Sequence, residues 1–185
     1  MKRPAAVPPP QSAEDNVRAL HVTWADPLAA LQRALGMSHE EFLVACTSGG
    51  LPKPPIAELL GFDAVEVEPG RAVLKFLPRE YHYNVFSTVA GGVAATVLDA
   101  AMWMAVQTSV SDESIFSTVN LTLHFVRALS GAAGDVRAEA RAVHVGRATA
   151  TAESRLVDAS GTLYSHATAG FHCVSFDSGP SGEGD

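Results

Sequence analysis

Cysteine, basic charge and export signals are all scarce in this chain of 185 residues, and each scarcity removes a class of function. Its cysteines, Cys46 and Cys173, form no CxxC pair, so neither a disulfide framework nor a cysteine-built zinc site has the residues it needs. The 13 Lys and Arg are outnumbered by 20 Asp and Glu, and no basic run accompanies an aromatic platform. With a net charge of −7, a grip on a nucleic-acid backbone is not expected. The start, Met1-Lys2-Arg3, is basic, but Pro4, Pro8, Pro9 and Pro10 stand where a signal peptide would place its apolar run. The one long apolar stretch, from Gly91 to Val110, carries Asp99 near its middle. A carboxylate there costs about 2.5–3.5 kcal/mol on insertion scales, so a buried helix fits the stretch better than a membrane span. A cytoplasmic protein with no nucleic acid and no membrane among its partners is the expectation.

What is present is apolar, 47% hydrophobic against 18% charged, enough to bury a core. Residues 1–16, rich in Pro and Ala, and residues 177–185, rich in Gly, Ser and acid, lack apolar periodicity and read as disordered tails. Leu28, Leu31 and Leu35 fall at helical spacing, and Ser38 followed by Glu41 forms a capping box for a second helix. Residues 17–50 are therefore expected to be a helical extension. A Gly- and Pro-rich breaker, 48–55, follows, with Pro55 placed to open a short helix that Gly61 closes. The main domain is placed at 51–176.

In that domain Pro69-Gly70 separates Val65 and Val67 from Val73 and Phe76 as the turn of a hairpin. The segment from Gly91 to about Gln107 is apolar nearly all round, so other structure must wrap it. Strand patterns at 116–127, 135–145, 148–157 and 162–174 then follow without helices between them, joined at Gly131, Gly134, Gly146 and Gly161. In the first, Val119, Leu121, Leu123 and Phe125 alternate with Thr118, Asn120, Thr122 and His124, as in a sheet with one face on a core. The expected class is α+β, one antiparallel sheet around one apolar helix.

Asp99 is the only carboxylate between Tyr81 and Ser111. Burying it costs several kcal/mol unless it is partnered or opens on a pocket. It is either a structural acid bonded to a nearby Thr or backbone group, or a general base or nucleophile in a water-poor cleft. Gly91-Gly92 opens the same helix, where unpaired N–H groups suit an oxyanion or polarised carbonyl, unless the pair serves only close packing. Eight residues at 1.5 Å each separate Gly91 from Asp99 by roughly 12 Å, too far for one small reacting group. If both act, the Gly-Gly end of one subunit meets the Asp99 of another, and the chain is a homodimer with an isologous interface.

His82-Tyr83-Asn84, Thr88, Gly91-Gly92 and Thr96-Val97-Leu98-Asp99 ahead of an Ala-rich helix resemble the hotdog-fold acyl-CoA thioesterases of the phenylacetate-pathway (PaaI-like) family. The run from Pro54 to Phe62 resembles that family's opening segment, Ser117 to Thr122 its first strand after the helix, and Val145-Gly146-Arg147 its later hairpin. The likeness spans about Leu51 to Val174. It implies a five- or six-stranded sheet on one long helix, homodimers often paired into homotetramers, and hydrolysis of an acyl-CoA with no metal or other cofactor. It implies further that Asn84 holds or orients the thioester carbonyl, the Gly91 N–H polarises it, Asp99 of the facing subunit activates water or attacks, and Thr118 orients the water. His82, Gly92, Arg127 and Arg147 are the expected substrate contacts, the arginines because guanidinium pairs with CoA phosphates. His82 is alternatively an anchor for the turn before Asn84.

Where the family reads Asn-Pro-x-Gly-x-x-His-Gly-Gly, this chain has Val85, Ser87 and Ala90 at the Pro, Gly and His places. The loss at Ala90 keeps open a non-hydrolytic acyl-CoA-binding or regulatory protein on the same fold. A hotdog dehydratase needs the imidazole that Ala90 replaces, and a serine hydrolase needs a GxSxG that is missing. His124, His144, His166 and His172 lack the HxH or HxxxH spacing of metal ligands, and Met102 and Trp103 are expected in the core or a dimer seam.

Overall fold

Two capped helices lead the chain in a computed structural model that describes residues 17–110 and 114–174. The expected tails at 1–16 and 177–185 lie outside the described residues. Helix α1 (Pro27–Leu35) starts at a proline that needs no N–H partner, behind an Asp26 carboxylate that accepts from the Leu28 N–H. In α2 (His39–Ser48) the capping box closes as expected. Ser38 Oγ accepts from the Glu41 N–H at 3.3 Å, and the Glu41 carboxylate accepts from the Ser38 N–H at 2.8 Å. Helix α3 (Pro55–Leu60) ends at Gly61, whose φ of 67° is the left-handed stop that glycine adopts without strain.

The sheet comprises β1 (Phe62–Glu68), β2 (Arg71–Phe76), β3 (Ile115–Phe125), β4 (Val136–Val145), β5 (Thr149–Asp158) and β6 (Leu163–Val174). All neighbours are antiparallel, in the order β1-β2-β4-β5-β6-β3. Helix α4 (Gly91–Gln107) lies along the sheet and buries Val97, Leu98, Ala101, Met102, Ala105 and Val106 against Leu74, Phe76, Val136, Leu156 and Phe171. Alanines at 138, 140, 152, 167 and 169 line the sheet's inner face and let it curl closely around the helix. This is the hotdog architecture. No helix among the described residues is long and apolar enough to cross a membrane.

The β5–β6 turn is tied to Asp158. Its carboxylate accepts from the Ser160 and Thr162 N–H groups, the Ser160 hydroxyl and the Tyr164 hydroxyl. These donors, Ser160 first, hold its pKa well below the ordinary carboxylate value. A depressed carboxylate contributes stability at pH values above its ordinary pKa and loses it as pH falls through the lower folded value. Asp158→Ala should therefore lower Tm at pH 7 by more than at pH 2, as thermal melts at the two pH values would show.

One expectation is corrected at β3. The apolar alternation predicts a face on the core, and Phe116 is indeed buried, but further along Leu121 and Phe125 are exposed, Phe125 by 60%. Leu121, Leu123 and Phe125 pair with buried Ala169, Ala167 and Ser165, so they occupy the correct face. However, β3 is an edge strand with no neighbouring strand on one side to cover these side chains. A bulge between Thr118 and Asn120 leaves Val119 outside the ladder, 66% exposed, and lays the Asn120 side chain where a Cβ on Gly170 would stand. The strand itself ends at Phe125, because the Val126 and Arg127 N–H groups both turn to the Tyr164 carbonyl.

Candidate active site

The N-terminus of α4 is reached through a loop that ties itself together. The Asn84 N–H donates to the Thr88 carbonyl at 2.8 Å, its Oδ1 accepts from the Phe86 N–H at 2.8 Å, and its Nδ2 donates to Thr88 Oγ1 at 3.1 Å. Asn84 thus organises its own loop. Ser87 sits at φ 59°, a strained position for a residue with a Cβ. Ser87→Gly removes a strain of about 1–2 kcal/mol and adds back some chain entropy, so chemical denaturation should show a net gain of about 0.5–1 kcal/mol.

His82 lies behind the loop, buried, its ring against Phe76 and Tyr81 and its Nδ1 accepting from the Arg79 N–H at 2.9 Å. Burial, assisted by the Arg79 charge, lowers its pKa against the opposing bond to the Leu60 backbone. A neutral ring in this position anchors the turn before Asn84.

At the helix start, Ala90 has no side chain with which to cap the first N–H groups. The Phe125 ring lies over Gly91, where an added Cβ would come within 2.7 Å of a ring carbon. Only glycine lets the ring cover the helix end this closely. Around it is a cavity of about 410 Å³ lined by Asn84, Thr88, Gly91, Phe125, Arg127 and Tyr164, with buried Ser165 also on its wall. Gly92 is exposed next to it but does not line it, and Arg147 stands apart in the β4–β5 turn. Tyr164 and Ser165 reach the cavity through strand pairing 40 residues and more downstream in a motif-free strand, which is why the sequence reading missed them.

Two turns along α4, Asp99 is half-buried, and Thr118 Oγ1 on β3 donates to its Oδ1 at 2.9 Å. Its Oδ2 accepts no hydrogen bond from the described residues. Burial raises the Asp99 pKa, and the Thr118 bond opposes that shift. Thr118→Val should move the acid limb of the pH–kcat/KM profile further upward, because the bond it removes favours the charged form. Thr96, Asp99, Trp103 and Gln107 form one stripe of α4, turned away from the stripe packed on the sheet. The Trp103 Nε1–H donates to the Phe116 carbonyl at 2.8 Å, while the Gln107 amide donates to the Ser114 carbonyl and accepts from the Phe116 N–H. Trp103 is partly buried in this seam with β3, and Met102 is in the core. Gln107 went unread, although its helical spacing from Asp99 and Trp103 marks it.

The structure therefore gathers Asn84, Gly91 and Arg127 at one cavity and Asp99 with Thr118 at a second place on the same helix. A helix N-terminus without a side-chain cap and a desolvated carboxylate on a hotdog scaffold suit hydrolysis of a carbonyl compound. The sequence pattern of the thioesterase superfamily matches residues 86–165. A 1,4-dihydroxy-2-naphthoyl-CoA hydrolase of Listeria monocytogenes is 30% identical over 104 residues, covering 56% of this chain and 82% of that protein. The phenylacetic acid degradation protein PaaI of Thermus thermophilus, solved as a variant, is 26% identical with a TM-score of 0.59, covering 65% of this chain and 100% of that one. The fold alone is shared with a Streptococcus mutans protein solved with acetyl-CoA bound, 17% identical with a TM-score of 0.57, over 62% of this chain and 89% of that one. The chain belongs to the thioesterase superfamily and is a thioester hydrolase.

Proposed function

We propose that the substrate is an acyl-CoA and that each active site is shared between two copies of the chain. The observation that carries this reading is the separation of two half-sites on one unbroken helix. The Gly91 end and Asp99 are eight residues, roughly 12 Å, apart. The open edge of β3, with Val119, Leu121 and Phe125 exposed along it, offers the self-complementary surface through which two copies would meet. Pairs of such dimers would give the homotetramer.

In the shared site the Gly91 N–H polarises the thioester carbonyl with the help of the helix dipole. Asp99 Oδ2 from the facing copy takes a proton from water, the resulting hydroxide adds to the carbonyl carbon, and the C–S bond breaks to release CoA thiolate and the free acid. Thr118 fixes the Asp99 rotamer through Oδ1, and Asn84 holds the loop that frames the helix end. Arg127, exposed on the cavity wall, and Arg147 supply positive charge for the CoA phosphates. Cys46 and Cys173 are free thiols, with Cys46 pushed up to about 11 by burial, which suits a reducing cytoplasm.

The test is CoA release from a panel of aromatic and short- to long-chain acyl-CoAs, with sedimentation of the same preparation at micromolar concentration. Release by a dimer or tetramer is expected. Binding without release would make the chain an acyl-CoA-binding protein, and an active monomer would refute the shared site.

A further inference from the structure

We propose that the Ser165 hydroxyl on β6 is a second donor to the thioester carbonyl oxygen, working beside the Gly91 N–H at the start of α4. The proposal rests on the acyl-CoA reading above and assigns a contact which that reading leaves unnamed.

Among the described residues, two buried side-chain polar atoms lack a hydrogen-bond partner, His82 Nε2 and Ser165 Oγ. His82 does not line the cavity at the helix end, whereas Ser165, only 1% exposed, does. Burying a hydroxyl without a partner costs free energy. The following residues on the same face of β6 are the buried Ala167 and Ala169, and an alanine at 165 would continue that row without the cost. The buried serine on β5 differs, because Ser154 Oγ donates to the Leu98 carbonyl at 3.4 Å.

Strand pairing fixes where the Ser165 side chain faces. Ser165 stands directly opposite Phe125 on β3 and Leu156 on β5, and directly opposed side chains leave a sheet on the same face, roughly 5 Å apart. Phe125 and Leu156 both line the cavity, so Ser165 presents its hydroxyl to the same space. The Phe125 ring in turn lies over Gly91. One side chain thus runs from beside Ser165 to the helix end, and the two donors border one cavity.

The helix end needs such a complement. The Val93 and Ala94 N–H groups both donate to the Ala90 carbonyl, while those of Gly91 and Gly92 have no partner among the described residues. Ala90 adds only a methyl group to them. When hydroxide adds to the thioester carbon, the π pair of the C=O bond moves onto oxygen, which then accepts from both Gly91 and Ser165. The hydroxyl keeps its own proton. As the C=O bond re-forms, the C–S pair leaves with sulfur. A donor shielded from solvent, as Ser165 is, stabilises that oxyanion more than a solvated one does.

The test compares hydrolysis of benzoyl- and acetyl-CoA by the wild type, Ser165→Ala, Ser165→Cys and Ser165→Thr. The alanine and cysteine variants weaken or remove the donor with little change of shape, so kcat should fall by about 10²-fold with KM little changed. Ser165→Thr keeps the hydroxyl and should keep most of the activity. Ser165→Ala should melt no lower than the wild type, because it removes an unpartnered buried hydroxyl. A lower Tm with kcat intact would mark Ser165 as structural and overturn the proposal.

A second readout needs no turnover. The benzoyl ketone analogue of CoA, in which CH₂ replaces the thioester sulfur, is labelled with ¹³C at its carbonyl and bound to each protein. A carbonyl carbon resonates further downfield as its oxygen accepts stronger hydrogen bonds, so the wild-type signal should lie downfield of those in Ser165→Ala and Ser165→Cys. Thioester cleavage with kcat and resonance both indifferent to the hydroxyl removes the Ser165 contact alone. A resonance that depends on Ser165 in a protein that releases no CoA keeps the contact and removes the hydrolysis reading. An analogue that does not bind, to a chain that releases no CoA, removes both.

Discussion

Asp99→Asn should lower kcat for thioester hydrolysis by about 10²–10⁴-fold, the usual contribution of a positioned general base, and should leave Tm at pH 7 unchanged or raised. The two effects have one cause. Burial raises the Asp99 pKa, which means the folded chain holds that proton more tightly than the unfolded chain does. Stability therefore falls as pH rises from the ordinary carboxylate value through the raised one, and above that window the ionised carboxylate is a net destabilising group. The amide is nearly isosteric, and its oxygen can still accept the 2.9 Å bond from Thr118. It removes the desolvated charge together with the base. CoA release and thermal melts on the same samples decide the matter. Unchanged turnover would exclude Asp99 from the chemistry, and a lower Tm at pH 7 would mark it as a structural acid. In the wild type, the acid limb of kcat/KM should lie above the pH at which an exposed aspartate titrates.

Local structure in this chain was legible because its signals are local. Pro55 and Gly61 bound α3, Ser38 and Glu41 start α2, and the uniformly apolar run gives α4 with the expected ends. β4 begins two residues after Gly134 and ends beside Gly146, and β6 begins two residues after Gly161. What was not legible is who neighbours whom. Alternation in β3 told which side chains share a face only beyond the bulge, since Thr118 lies with Leu121 rather than with Thr122, and cover depends on where the strand sits in the sheet, which for β3 is an edge. The candidate site divides along the same line. The Gly91 helix end and the half-buried Asp99 follow from residue type and helical rise, and the bond from Thr118 to Asp99 is the nearby-Thr partner that the structural reading of that acid expects. That the Asn84 amide is consumed within its own loop, that His82 turns inward as a neutral anchor, and that Tyr164 and Ser165 complete the cavity all depend on tertiary approach. Arg127 and Arg147 looked equivalent as strand-end cations, yet only Arg127 lines that cavity.

Ala90→Asp should stabilise the protein and disable it at once. Ala90 already has the extended backbone of an N-cap residue, φ −61° and ψ 138°, but offers no acceptor to the first turn of α4. A carboxylate there can accept from the N–H groups of the first turn and sits at the positive end of the helix dipole, for a gain of about 0.5–2 kcal/mol. The same carboxylate occupies donors and places negative charge where the thioester oxygen must gain it. Losing an oxyanion donor typically costs about 10²–10³-fold in kcat, and a fall of that order is expected. The combination with Asp99→Asn then reads out the sharing directly. If each site takes its helix end from one copy and its carboxylate from the other, coexpressed Ala90→Asp and Asp99→Asn chains form mixed dimers with one wholly intact site and one doubly disabled site. With random pairing, half the dimers are mixed and activity returns to about a quarter of wild type. A site contained within one chain has no intact version in any such dimer, so activity would stay at the level of the single variants, and the roughly 12 Å between Gly91 and Asp99 would have to be closed some other way.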